Sequence, residues 1–232
     1  MKYKDESIIT AFHDSIPVMT GYLFLGMAYG VYMNANGFSW IYPFLMAIVI
    51  YGGSLEFVAV SMLMSRFAPV QTFFMALMIQ ARHLFYGLAM LEKYNGLRHH
   101  KFYLIYALTD ETFAVARSKV LPDHIDANRY YFALSLFDHL YWIFGAAAGG
   151  IFGSFLPFDL TGLDFMMTAM FTVIFLNAYR QERSHLSSLI GLGASLGCLI
   201  LFGADHFIIP SMCVTLVFLI VFREPIRERG GF

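Results

Sequence analysis

Residues 48–63 read IVIYGGSLEFVAVSML. An apolar run is interrupted by Gly52 and Gly53, and Ser54 and the carboxylate Glu56 follow directly. In a soluble protein this would be a turn between two core elements. In a bilayer it would be a helix broken at depth, because lipid offers no partner for a loose backbone and only helices or closed barrels cross it. The sequence on either side decides between the two readings.

The chain has 232 residues, 59% hydrophobic and 13% charged, with a mean hydropathy of +0.63. Soluble domains average about 45–50% apolar and about 25% charged residues, so this composition belongs in a membrane. Several apolar stretches exceed the ~18 residues of a transmembrane candidate. The spans are placed at 15–34, 40–64, 70–91, 102–118, 131–155, 163–179, 186–202 and 207–222. Between them lie helix-ending stretches such as NANGFS, KYNGLRHHK and LPDHIDANR. The expected fold is an all-α polytopic membrane protein, a single integral membrane domain over 1–232, with about eight transmembrane helices and at least one of them broken. The N-terminal MKYKDESIITAFHDSIP lacks the apolar core and cleavage site of a secretory signal, so the first span is expected to stay.

Charge sets the orientation. Eight spans put eleven Lys and Arg residues on one side (Lys2, Lys4, Arg66, Arg117, Lys119, Arg129, Arg180, Arg183, Arg223, Arg227, Arg229) and three on the other (Lys93, Arg98, Lys101). That predicts both termini in the cytoplasm of a bacterial inner (cytoplasmic) membrane. Seven spans, with 70–91 as a re-entrant hairpin, divide the charge six to eight. A net charge of -1 and the lack of a basic face argue against nucleic acid. Cys198 and Cys213 read as small packing residues; no cofactor, metal site or catalytic residue is expected.

Charged groups at the centre of a span cost roughly 2.5–3.5 kcal/mol on insertion scales, so they tend to face a cavity or a partner. The chain has Glu56, Arg82, His83, Asp110, Glu111, Asp138, His139 and the amide Asn177 in such places. Gly52 and Gly53 weaken a helix, and Ser54 suits the cap of a new one. A half-helix beginning there would turn free N–H groups and a positive dipole end into the membrane, a seat for a substrate carboxylate, with Glu56 holding an ammonium group or a proton. The alternative is a close-packing surface, with Glu56 paired to Arg82. Arg82 lies about 13 Å from the polar end of its span, too far to snorkel, so a partner among Glu56, Asp110 and Glu111 is expected. His83 is a candidate proton relay. Asp110 and Glu111 diverge by about 100° on a helix and cannot share one partner. Asp138 is a candidate ion-pair or proton-coupling group.

The segments GGSLEFVAVSMLMSRFAPVQTFFMALMIQARHLFYGLAM, LTDETFAVA and GLDFMMTAMFTVIFL, in this order and spacing, resemble the AzlC family, large subunits of bacterial branched-chain amino-acid exporters. The resemblance runs from about Ser15 to Arg223. It implies a secondary exporter working with a small AzlD-like membrane subunit. The family's Gly-Ser segment falls on Gly53 and Ser54, its Arg-His and Tyr-Gly on Arg82, His83, Tyr86 and Gly87, its Thr-Asp-Glu on Thr109, Asp110 and Glu111, and its Gly-Leu-Asp-Phe on Gly162 to Phe165. Two departures stand out: Glu56 replaces a Gln common in the family, and Gln80 replaces an Asn.

The expected function is export of valine, leucine, isoleucine and methionine coupled to protons. Gly52, Gly53, Ser54, Glu56, Arg82, Tyr86 and Asn177 are the expected substrate contacts, and Glu56, His83, Asp110, Glu111 and Asp138 the expected proton-coupling or ion-pair groups. The alternatives are a channel or a non-transporting membrane binding subunit. A remoter one is an intramembrane hydrolase, with Ser54 as nucleophile and His83 or His139 as base; it lacks a Gly-x-Ser-x-Gly pattern.

Overall fold

The computed structural model describes residues 2–65, 69–95, 97, 100–155, 172, 175–176, 179–180, 185–203 and 207–222. Among these, all regular structure is helical, and there is no strand. The chain divides into two compact units, Met1–Leu160 and Thr161–Phe232.

In the first unit, α1 (Lys2–Ala35) and α7 (Ala127–Gly153) form the frame. They run in the same direction. Ser7 accepts from the Asp126 N–H at 3.0 Å and Asp14 from the Tyr130 hydroxyl at 2.7 Å, while Asn34 lies against Gly153 at the other end. Glycines let the two backbones touch: a Cβ on Gly30 would sit 2.2 Å from the Ala146 carbonyl oxygen, and one on Gly149 2.1 Å from that of Met27. By length and composition α1 can cross a membrane.

The stretch quoted at the outset forms α2 (Ile41–Val49), a break, and α3 (Ser54–Met64). Its path follows from its neighbours. Trp40 and Pro43 abut Gly150, near the far end of α7. The Ala47 carbonyl then meets His139, halfway down that helix. After the break Glu56 meets Trp142, and Phe57 lies on Tyr29 and Tyr32, back toward the end where the segment entered. Tyr51 and Gly53, at φ 44° and 46°, make the reversal. Left-handed backbone is costly for tyrosine; its ring is clamped 4.2 Å from that of His139.

α4 (Pro69–Ala89) passes this tip and leads toward Lys93. Lys93 Nζ donates to the carbonyls of Ala116, Arg117 and Lys119, each at 2.8 Å, closing the open C-terminus of α6 (Asp110–Ser118). Partial burial and the neighbouring Arg117 lower the pKa of this amine. Between Lys93 and Lys119 the chain goes in along α5 (Lys101–Tyr106), with His100 against Phe132 and Tyr103 at His139. It breaks at 107–109 and returns along α6 to Lys119, which pairs with Asp14 at 2.7 Å.

Two expected spans are therefore corrected. Segments 40–64 and 102–118 are each a hairpin rather than one straight helix, and each begins and ends at one end of the α1–α7 pair. Their arms are 9 and 11, and 6 and 9, residues long. At 1.5 Å per residue none exceeds about 17 Å, half of a ~30 Å hydrocarbon layer. The 70–91 segment, the one considered for a hairpin, is instead the uninterrupted 21-residue α4. Run length counts apolar residues; it does not record a reversal of direction.

In the second unit α8 (Leu186–Phe202) and α9 (Ile208–Val221) are helices within the stretches 186–202 and 207–222, and they pack together. Cys198 is buried, whereas Cys213 is exposed, and both are free thiols. Span 163–179 lies largely outside the described residues, as do Asn177 and Gly162 to Phe165.

Candidate functional site

The two hairpin tips come in from opposite ends of the first unit and meet. The Tyr106 hydroxyl, at the second tip, donates to the Ile48 carbonyl of the first at 2.7 Å. His139 sits between them, with Nε2 3.1 Å from the Ala47 carbonyl and Nδ1 3.1 Å from the Tyr103 hydroxyl. A carbonyl only accepts, so Nε2 carries the proton and Nδ1 accepts from Tyr103. The ring thus satisfies an open carbonyl of α2, and no free nitrogen remains to serve as the hydrolase base.

At the first tip the cap of α3 is Gly53. Glu56, third in the helix, reaches back so that its Oε2 accepts from the Gly53 N–H at 3.1 Å, the acid half of a capping box. The same oxygen accepts from Trp142 Nε1 at 2.7 Å. Glu56 is wholly buried, and Oε1 has no partner. Ser54, expected as the cap, is the first helical residue; its Oγ accepts from Arg82 Nη2 at 3.1 Å. Of the three acids open as partners for Arg82, Glu56 is not the one used, because a carboxylate at this position reaches its own helix start first. A Cβ on Gly52 would lie 2.4 Å from the Gln80 side-chain nitrogen, so α4 passes tightly here.

Arg82 joins the tips. While Nη2 serves Ser54, Nη1 pairs with Asp110 Oδ2 at 2.7 Å, and Nε has no partner. Both side chains of the pair remain about one-third exposed, at 32% and 34%. Tyr86 stacks on Phe113 at 4.5 Å and turns toward Asp110. His83 Nδ1 donates to the Gln80 carbonyl one turn back, at 3.3 Å, and its ring meets that of Tyr86 edge-on.

The second tip is closed by side chains. Thr109 caps α6 and accepts from the Thr112 N–H. Asp110 and Glu111 diverge as their spacing requires: Asp110 takes Arg82, while Glu111 Oε2 lies 2.7 Å from the Tyr22 hydroxyl. Tyr22 also reaches Thr109 at 2.5 Å. Asp138, fully buried on α7, accepts from Thr112 Oγ1 at 2.7 Å.

Every expected site residue in the first unit thus lies at a tip or on the helix beside it. The family profile described as "AzlC protein" matches residues 17–156, the same region. The branched-chain amino acid transport protein AzlC of Bacillus subtilis is 48% identical over 94% of this chain and 86% of its own length. The chain belongs to the AzlC family. An uncharacterized membrane protein of Haemophilus influenzae is 46% identical over 89% of the chain and 85% of its own length. The inner membrane protein YgaZ of Escherichia coli is 26% identical over 79% and 78%. No solved structure matches the chain significantly.

In this AzlC chain, sequence reasoning missed three contributors. Trp142 carried a signal, since an indole N–H in an apolar span needs an acceptor. Thr112 stood in the TDET run without a helix start to give it meaning. Tyr22 carried none: its role comes from α1 passing the second tip.

Proposed function

We propose that this chain is the large subunit of a proton-coupled secondary exporter of apolar amino acids, valine, leucine, isoleucine and methionine, working with a small AzlD-like membrane subunit. The observation that carries this reading is Arg82, part-exposed between the N-terminal ends of two half-helices and paired with Asp110. Discontinuous helices whose N-termini meet at mid-depth are the usual seat of an anionic substrate group in secondary transporters. A zwitterion matches the pair in both halves: carboxylate on Arg82, whose buried Nε has no partner, and ammonium on Asp110. Tyr86 and Phe113 offer an apolar wall for the side chain. The hydroxyl of Ser54 steadies the guanidinium. Glu56, without a cation, is a group that can take up a proton without breaking an ion pair.

The hairpins also bear on orientation. If α1, α4 and α7 are the crossings of the first unit and the sequence-expected spans 163–179, 186–202 and 207–222 are three more, the count is six, which puts both termini on one side of the membrane. Lys2, Lys4, Lys93, Arg98, Lys101, Arg117, Lys119, Arg129, Arg180, Arg183, Arg223, Arg227 and Arg229, thirteen of the fifteen basic residues, then fall on that side. Arg66 alone falls on the other, and Arg82 is internal. Thirteen to one is a stronger bias than eleven to three, and it supports a cytoplasmic-membrane protein with both termini in the cytoplasm.

The test is efflux from vesicles carrying the chain and its small partner, preloaded with labelled leucine, valine, isoleucine or methionine. Efflux accelerated by an imposed proton gradient is the expected result. Vesicles that retain all four would overturn the reading.

A further inference from the structure

The polar groups around the second tip form one unbranched line: Glu111, Tyr22, Thr109, Thr112, Asp138. Successive oxygens are 2.7, 2.5, 3.0 and 2.7 Å apart. All four are hydrogen-bond distances, and each needs a proton between its oxygens. Three hydroxyls supply three, since each donates only once. The fourth must come from one of the two carboxyls at the ends. Tyr51, whose ring meets that of Tyr22 edge-on from the first tip, has a buried hydroxyl with no hydrogen-bond partner and leaves the count unchanged.

We propose that Tyr22, Thr109 and Thr112 are a proton relay holding one shared proton between Glu111 and Asp138. With the proton on Glu111, Glu111 donates to Tyr22, Tyr22 to Thr109, Thr109 to Thr112 and Thr112 to the Asp138 carboxylate. Four short transfers in the same sense leave Asp138 protonated, Glu111 ionised and every hydroxyl reversed. Atoms and charge balance, and no oxygen moves. Thr109 is suited to both states, because it accepts the Thr112 backbone N–H and one hydroxyl in either direction and donates the other way. Asp138 Oδ1 is buried and without a partner, so no second hydrogen bond fixes that carboxyl in one protonation state.

The groups facing the line are few. Around Glu111 are Asp110 of its own helix and Arg82 of α4, which are bound to each other, with Tyr86 of α4 and Tyr51 of the first tip. Around Asp138 are Tyr51, Tyr103 and Tyr130, and the neutral, doubly bonded His139 next in sequence. No described cation is paired with either end carboxyl. The relay rests on the proton-coupled reading above and supplies the path it lacks.

Two measurements separate the relay from that reading. The first is the carboxylic-acid carbonyl band in infrared spectra of the lipid-reconstituted chain, in an E56Q background. A shared proton predicts that E111Q alone and D138N alone each abolish the same band, because an amide can donate into the line from either end and release the proton. Two separate bands, each lost with its own residue, would overturn the relay, as would a band that neither variant removes. The second is proton flux during amino-acid efflux. T112V should uncouple flux from efflux while amino-acid exchange across equal pH persists, and T112S should restore coupling. Thermal melting of T112V checks that it folds. Full coupling in folded T112V also overturns the relay. A shared band in a protein that moves no amino acid keeps the relay and removes the transport reading.

Discussion

The two hairpins share one plan, and their tips are built from opposite materials. The first tip is backbone: a glycine cap, two left-handed residues and a carboxylate turned back on its own helix, sealed under Trp142. The second is side chains: a threonine cap, two acids in the first turn, and an arginine from α4 within reach of water or substrate. Glycine lets the first tip press against Gln80 and His139, and the resulting burial keeps its acid away from any cation. At the second tip Asp110 and the Arg82 it holds stay about one-third exposed, so their charges remain accessible. Depth alone therefore does not make an intramembrane acid a binding group; access does.

The plan itself is open to the most drastic test. In a cysteine-free background (Cys198 and Cys213 replaced), Asn95→Cys and Val120→Cys should be labelled by an impermeant maleimide from the same face, and Gly37→Cys from the other. Labelling of positions 95 and 120 from opposite faces would restore the crossing of 102–118 and dissolve the comparison. Next in size is Arg82→Ala, which strips the second tip of its cation and leaves Asp110 and Ser54 in place. A hydrogen bond to a charged group contributes about 1.5–3 kcal/mol, so the half-saturating substrate concentration should rise by about tenfold or more. Unchanged half-saturation would move the substrate elsewhere. The smallest effect belongs to the first tip. Glu56→Ala leaves the Trp142 and Gly53 donors unpaired and should lower stability by about 1–3 kcal/mol in thermal melts. Glu56→Gln keeps an acceptor and should recover most of it. A Glu56→Gln as unstable as Glu56→Ala would show that the charge, and not the oxygen, holds that tip together.

Much of this was legible. The break at Gly52 and Gly53 was visible because glycine pairs seldom interrupt an apolar run without a turn. The divergence of Asp110 and Glu111 follows from helical periodicity, and only the identity of their partners was open. The RH-x-x-YG and TDE segments pointed to the stretch of α4 and the tip that Arg82 joins. Which of Glu56, Asp110 and Glu111 would meet Arg82 stayed open, because no sequence pattern records that Trp142 and Gly53 are nearer to Glu56. The break at 107–109 was hidden inside an ordinary apolar segment. Thr109 reads as a cap only once the helix is known to start after it.

By itself, then, the sequence determined the medium, the helical class, the family and the set of polar residues in the membrane, since these follow from composition, periodicity and motif. The tertiary structure decided direction and partnership: which segments turn back, which acid meets Arg82, and which hydroxyls line up between Glu111 and Asp138. The physical reason is range. Hydropathy and helix propensity act over one or two turns, whereas all but one of these contacts join residues 26 to 89 positions apart and form only because glycines bring α1 and α7 into backbone contact with the two tips beside them.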